Sequence, residues 1–204
     1  DNKVLFWDSD NKDEFIKSFF TKNALNPICL KAIKRQLLKL DLLSEMPRIT
    51  MTEDWIHSYY PVINAKKIVY IPDALYNYRY NQSSMTKVFD PRVFLSAKII
   101  YELKKEYVNI CDTSLTLNDV NEQFLIKISK MLVYEPGRVK NKEIYYDFVK
   151  EIKNDELAEN VYRFYSRKLQ LLYKVPLKLL FKEKYKQLLL FKKGVSKIRS
   201  VIKR

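Results

Sequence analysis

Glycine is nearly absent: the chain of 204 residues holds two, Gly137 and Gly194, where ordinary usage is about 7%. Tight hairpins, phosphate-cradling loops and left-handed turns all draw on a residue without a Cβ. A chain without such residues cannot be rich in them, so helices are favoured. Hydrophobic residues make up 47% and charged residues 30%. That mixture supports a packed core and excludes a disordered chain.

Residue types narrow the chemistry further. One histidine, His57, leaves no room for a histidine-rich metal site, and a Ser-His-Asp triad is nearly excluded. Cys29 and Cys111 lie far apart without metal-ligand spacing and read as two buried, reduced thiols of a cytoplasmic protein. No apolar run approaches the roughly 20 residues that span a bilayer, and no stretch reads as a signal peptide. The net charge of +14 is concentrated at one end: residues 167–204 hold 13 Lys/Arg and one acid, Glu183, so the first 166 residues carry only +2. Any electrostatic partner therefore belongs to that basic segment.

The apolar pattern predicts a short strand at Val4–Trp7, a turn at Asp8–Asn11 and a helix over 13–20. A further helix is expected from Pro27, capped by Asn26. Thr50-Met-Thr-Glu53 has the form of a capping box, which predicts a helix running towards Asn64. Lys67–Ile71 and Ala74–Tyr80 read as two strands paired in a hairpin around Pro72-Asp73. From Val93 onward the pattern is helical, with segments expected near 93–107, 118–134, 141–153 and 155–167.

Two acidic motifs could carry chemistry. Asp8-Ser9-Asp10 after a strand has the form of a divalent-cation site, but it is also ordinary turn chemistry, and that reading is preferred. Glu53-Asp54 falls at a helix start, where the dipole stabilises anions. A capping box would occupy Glu53 and leave Asp54 free as a general base. Trp55, with Tyr59 and Tyr60, could stack on a sugar. His57 lies one turn after Asp54 and reads as solvated or packed.

Thr52-Glu-Asp-Trp-Ile56, Asn64-Ala-Lys-Lys-Ile-Val-Tyr-Ile-Pro-Asp-Ala-Leu-Tyr-Asn-Tyr-Arg79 and Ser83-Ser-Met-Thr86 follow one another in order. The set resembles the end of the GT-A domain in bacterial family-2 glycosyltransferases that build capsules and other surface polysaccharides. Leu25–Leu38 is similar to the family's N-K-L-Y-K-R-E-L-L segment, with departures at Leu30 and Ala32. The resemblance implies an inverting sugar transfer from a nucleotide-sugar donor to a glycan acceptor. In it Glu53 and Asp54 form the catalytic pair, and Asp54 takes the proton from the acceptor hydroxyl. Arg79, Ser83, Ser84, Thr86 and Trp55 would bind substrate, with Arg79 and the Ser83–Thr86 loop near the leaving diphosphate. Mg²⁺ or Mn²⁺ is expected for the complete enzyme and none for this chain. The family's nucleotide-binding strands should precede Leu25 by more than a hundred residues, and 24 residues stand there. The chain is therefore expected to lack the donor half and to be inactive alone.

The expected fold is mainly α with a small β element, a C-terminal remnant of a GT-A α/β domain followed by a helical domain. Its parts are 1–90, the end of the GT-A-like domain; 91–166, the helical domain; and 167–204, a basic amphipathic tail. In the tail Leu169, Leu172, Tyr173, Leu177, Leu180, Phe181, Leu188, Phe191, Val195, Ile198 and Ile202 recur near helical spacing among lysines, with Pro176 dividing the run. Such a stripe lies on an anionic membrane surface or packs on the preceding helices. The membrane contact is the expectation, which places the protein in the cytoplasm on the inner face of the plasma membrane. The rival reading is a non-enzymatic basic helical module that binds nucleic acid or another acidic partner. Large aliphatics among the lysines and the absence of a nucleic-acid motif count against it.

Overall fold

The computed structural model describes residues 3–22, 25–38, 52–77, 79, 89–134 and 142–202. Within them the fold is mainly helical with one two-stranded antiparallel sheet, as composition predicts.

The first part rests on two helices. Helix α1, Lys12–Thr21, buries Ile16, Phe19 and Phe20, and helix α2, Glu53–Asn64, buries Trp55, Ile56, Tyr59 and Val62. Both sets fall at helical spacing, so each helix presents one apolar stripe. The stripes meet in an aromatic core: the Phe19 and Trp55 rings stack at 5.2 Å, and Phe20 meets Trp55 edge-on at 5.6 Å. Lys12 reaches across from α1, its Nζ donating to the carbonyls of Ile63 at 2.8 Å and Ala65 at 3.0 Å. An ammonium there satisfies end-of-helix carbonyls and complements the helix dipole.

Strand β1, Leu5–Trp7, pairs antiparallel with β2, Ile68–Tyr70, in the register Leu5 opposite Tyr70 and Trp7 opposite Ile68. This corrects the expected hairpin. The segment from Ala74 to Asn77 is not a strand, and Tyr78 and Tyr80 lie outside the described residues. The reason lies in the turn. A two-residue hairpin of type I′ or II′ needs φ > 0 at its first central residue, and Pro72 holds φ near −65°. Leu75 is 75% exposed, so the alternation there has no apolar face to bury.

The helix expected from Pro27 is also absent. Two 3₁₀ turns, Ile28–Leu30 and Arg35–Leu37, stand in its place, and neither buries a residue. Without a face to cover, helical spacing is not rewarded. Instead the Lys31 ammonium donates to the carbonyls of Leu25 at 2.6 Å, Asn26 at 3.2 Å and Pro27 at 2.8 Å, folding the loop around itself.

The second part comprises α3 (Val93–Ile110), α4 (Leu117–Tyr134), α5 (Lys142–Lys153), α6 (Glu156–Tyr165), α7 (Leu171–Phe181) and α8 (Tyr185–Ile202). Helix α4 is central, packing on α3, α6, α7 and α8. It buries Val120, Phe124, Leu125, Ile128, Met131 and Leu132, most of its circumference. Two tyrosine hydroxyls of this core are paired: Tyr101 donates to Asn121 Oδ1 at 2.8 Å and Tyr145 to the Leu132 carbonyl at 3.1 Å. Asp155 caps α6, accepting from the Ala158 N–H at 2.9 Å, and pairs with Lys98 at 2.7 Å. Helix α3 joins the two parts, since Phe94, Ala97 and Tyr101 enter the helical core while Ile99, Ile100 and Leu103 pack against the aromatic one.

The basic segment is part of this core. Leu169, Leu177, Leu180 and Leu188 are buried with residues of α3 to α6, and Phe181 packs against them. Pro176 does not divide the segment; it is buried inside α7. The carbonyl that an N–H at 176 would have bonded is that of Leu172, in the exposed first turn. The break comes at Glu183, whose φ is 56°. The Lys184 N–H donates to the Leu179 carbonyl and the Glu183 N–H to that of Leu180, both at 2.8 Å, the two bonds of a Schellman motif. No helix among the described residues is long and apolar enough to cross a membrane.

Candidate functional site: the start of helix α2 and a lysine cleft

Helix α2 begins at Glu53, with Thr52 as its N-cap residue, and the Thr52 side chain makes no capping hydrogen bond. The expected box is therefore not formed. It needs Glu three residues past the cap, whereas Glu53 is the first residue of the helix; Thr50 lies outside the described residues. The consequence is two buried oxygens without a donor, Thr52 Oγ1 and Glu53 Oε2. Such atoms carry an unmet desolvation cost of about 1–3 kcal/mol each.

Asp54 occupies the first turn of α2 and is half-buried. Its backbone carbonyl accepts from Ser58 Oγ at 2.7 Å, and its carboxylate forms no ion pair among the described residues. Burial lowers the pKa of the Lys31 ammonium, and the charge of Asp54 opposes that shift. Asp54 thus stands at a helix N-terminus with a cation in electrostatic range.

The other expected residues are distributed as follows. Trp55 is 2% exposed, its Nε1 donates to the Phe19 carbonyl, and Phe19 and Tyr59 stack on its ring. It is a core residue with no ring face offered to a sugar, which corrects its assignment as a stacking platform. His57 and Arg79 are exposed, and so are the free thiols Cys29 and Cys111, which corrects their reading as buried. Ser83, Ser84 and Thr86 lie outside the described residues. At the other acidic motif, Asp8 Oδ1 accepts from the Asp10 N–H at 3.2 Å and Ser9 Oγ donates to Asp10 Oδ1 at 3.0 Å. These are turn contacts leading into α1. Among the described residues no group of three His, Cys, Asp or Glu could hold a metal ion.

Between the two parts lies a small solvent-open cleft of about 80 Å³, bounded by Phe20, Asn26, Thr52 and Trp55 on one side and by α3 and α4 on the other. Three lysines line it, Lys104, Lys127 and Lys130, together with Gln123, and its described lining carries no acid. The Lys104 ammonium donates to the Phe20 carbonyl and sits 5.2 Å from the Trp55 ring centroid and 5.7 Å from that of Phe20. Burial, with a smaller contribution from the Lys127 charge, lowers its pKa to about 7.

Sequence reasoning passed over this cleft although a signal existed. Lys104 falls on the stripe of α3 that runs Phe94, Ala97, Tyr101, Lys104, Val108, and Lys127 falls on the stripe Val120, Phe124, Lys127, Met131 of α4. A cation at a stripe position is costly to bury and marks a place where two helices enclose something other than hydrocarbon.

The lowered pKa makes Lys104 a stability determinant. Its value in the unfolded chain is about 10.4, so below pH 7 both states are protonated and the cost of burying the charge is fully present. Above that the folded state releases its proton first, and the cost disappears as pH approaches the unfolded value. Lys104→Met is therefore expected to raise the melting temperature by several degrees at pH 6, with the gain shrinking towards pH 10. A gain independent of pH, measured by calorimetry across that range, would refute the charge-burial account.

No family model, curated protein or solved structure matches this chain.

Proposed function

We propose that the chain is the acceptor-side portion of an inverting glycosyltransferase that acts in surface-polysaccharide synthesis. One observation carries the reading: Asp54 is held in the first turn of α2, partly accessible and outside any ion pair among the described residues. The order in which that helix is followed by the Ile68–Tyr70 strand also agrees with the motif order of the resembled family. In this reading Asp54 accepts the proton of an acceptor hydroxyl as its oxygen attacks the anomeric carbon. The bond to the nucleoside diphosphate breaks on the opposite face, which inverts the configuration. Arg79, exposed and rich in donors, is assigned to the departing diphosphate.

A divalent cation on the donor diphosphate, Mg²⁺ or Mn²⁺, belongs to the donor-binding half in this proposal. The described residues do not fit one, since Asp8 and Asp10 are engaged in their own turn.

The basic segment is assigned to an anionic membrane surface, through a smaller face than the sequence suggested. Residues 160–182 hold six Lys/Arg and no acid. Phe164, Leu171 and Leu172 are exposed among them. Apolar insertion and charge attraction add there, each cation contributing about 1 kcal/mol near an anionic leaflet. In this proposal the protein works on the cytoplasmic face of the plasma membrane.

The test is complementation of halves. A protein carrying this chain together with a nucleotide-sugar-binding half should transfer sugar to a glycan acceptor, detected by mass spectrometry. The donor half alone should bind nucleotide sugar and transfer nothing. Transfer by the donor half at the full rate would remove this chain from the reaction.

A further inference from the structure

Strands β1 and β2 form a sheet smaller than one that stands by itself. Each strand is three residues long, and a ribbon of two strands is marginal in water. Alternation along the strands sorts the two faces. Trp7 and Ile68 lie on the inner one, where the Trp7 ring meets Phe15 at 4.9 Å and Ile68 packs against the aromatic core. Phe6 and Val69 oppose each other on the outer face and are about half exposed, with the Lys67 ammonium 5.1 Å from the Phe6 ring centroid. The edges differ as well. Beside β1 the Asn11 side chain takes backbone groups that a further strand would need, Nδ2 donating to the Phe6 carbonyl at 3.3 Å and Oδ1 accepting from the Asp8 N–H at 2.9 Å. An edge occupied in this way is blunted. The far edge of β2 has no strand beside it among the described residues. Ile68 to Ile71 is a run of β-forming residues without a charge or a proline, and Val69, Tyr70 and Ile71 are each about half exposed.

We propose that two copies of this chain pair through that edge, β2 antiparallel to β2, about a two-fold axis beside Tyr70. Residues opposite each other in an antiparallel pair share a face. In a symmetric pair the axis therefore passes beside one residue of the strand. At Tyr70 it sets Val69 of one copy against Ile71 of the other and Lys67 against Asp73, and each contact occurs twice. Lys67 and Asp73 are exposed, and neither forms an ion pair among the described residues. An extended stretch of six residues spans about 20 Å, so the two charges do not meet within one chain. Moving the axis to Val69 or to Ile71 would set Lys67 against Ile71 or Leu75 and leave both charges unmatched. The strand is thus complementary to itself, which selects a second copy as the partner and fixes the register. The product is a continuous sheet of four strands, past the three that independent stability requires. One strand pair is a small interface, so the association is weak. The inference does not rest on the glycosyltransferase reading, since it concerns this chain and its own copy.

Sedimentation equilibrium of the full chain, from about 5 µM to about 1 mM, tests it. A reversible monomer–dimer equilibrium is expected in that range. Lys67→Asp, and separately Asp73→Lys, should weaken the dimer at least about tenfold, because two attractions become two repulsions. The double variant Lys67→Asp with Asp73→Lys should return the affinity to within about threefold of the original. Rescue of this kind requires that the two positions meet across the pair of copies. Leu171→Ser with Leu172→Ser, on the exposed face of the basic segment, should leave the equilibrium unchanged. A readout on the unmodified chain guards against variants that fail to fold: amide exchange across Val69–Ile71 should slow as the protein is concentrated. A chain that stays monomeric to about 1 mM leaves the edge to a different strand or to none, and overturns the proposal. Single swaps without effect, a double swap that fails to rescue, loss of the dimer in the Leu171/Leu172 variant, or exchange at Val69–Ile71 that ignores concentration would each overturn it too.

Discussion

Asp54→Asn is expected to lower turnover of the complete transferase by about a hundredfold or more, the usual worth of general-base assistance. The asparagine keeps the shape of the side chain and its place in the first turn of α2 but cannot take a proton. The fold should hardly register the change. Asp54 makes no ion pair among the described residues, and the hydrogen bond it accepts from Ser58 is through its backbone carbonyl. The remaining cost is the loss of a charge favourable to the helix dipole, about 0.3–1 kcal/mol. Lys31 loses the charge that opposes the effect of its burial, yet its three carbonyl partners remain. The expected signature is a fall in kcat with donor affinity unchanged. Glu53→Gln, at the residue whose Oε2 is buried without a donor, should cost far less. Near-normal kcat in Asp54→Asn at saturating donor and acceptor would show that another group takes the proton.

The second large effect is structural. Leu180→Ser combined with Leu188→Ser is expected to unfold the protein. Both leucines are 0% exposed and belong to the core that α4 centres. Truncating a buried leucine costs about 2–5 kcal/mol, and burying an unpaired hydroxyl adds about 1–3 kcal/mol. Two such sites match the whole stability of an ordinary domain, about 5–15 kcal/mol. Leu171→Ser with Leu172→Ser provides the contrast, because these side chains are 74% and 51% exposed. That pair should leave the melting temperature within about 2 °C, as surface changes usually do. It should weaken binding to vesicles rich in phosphatidylglycerol. Circular dichroism and vesicle sedimentation separate the outcomes. A folded Leu180/Leu188 variant would return the whole stripe to the membrane reading, and unchanged sedimentation of the Leu171/Leu172 variant would remove the exposed face from it.

What the chain determined by itself is its helical character and most of its helix boundaries. Glycine scarcity and the spacing of Ile16, Phe19 and Phe20, or of Val120, Phe124 and Leu125, are local properties. An apolar stripe at a period of 3.6 residues stabilises a helix wherever a partner is found. The acidic opening of α2 was legible for the same reason. Partners were another matter. Nothing in Lys67–Ile71 says that it pairs with a strand some sixty residues earlier instead of its neighbour, because a strand carries no address beyond its pleat. The stripe from Leu169 to Leu188 reads identically whether it faces lipid or α4, since both are apolar surroundings. Only the packing of Leu177, Leu180 and Leu188 into the core, with Leu171 and Leu172 left outside, divided it. The cleft lay furthest from sequence reasoning. Lys104, Lys127 and Lys130 look like ordinary helix lysines until α3 and α4 pack together. The lowered pKa of Lys104 comes from its burial between helices, which no spacing along a single chain encodes.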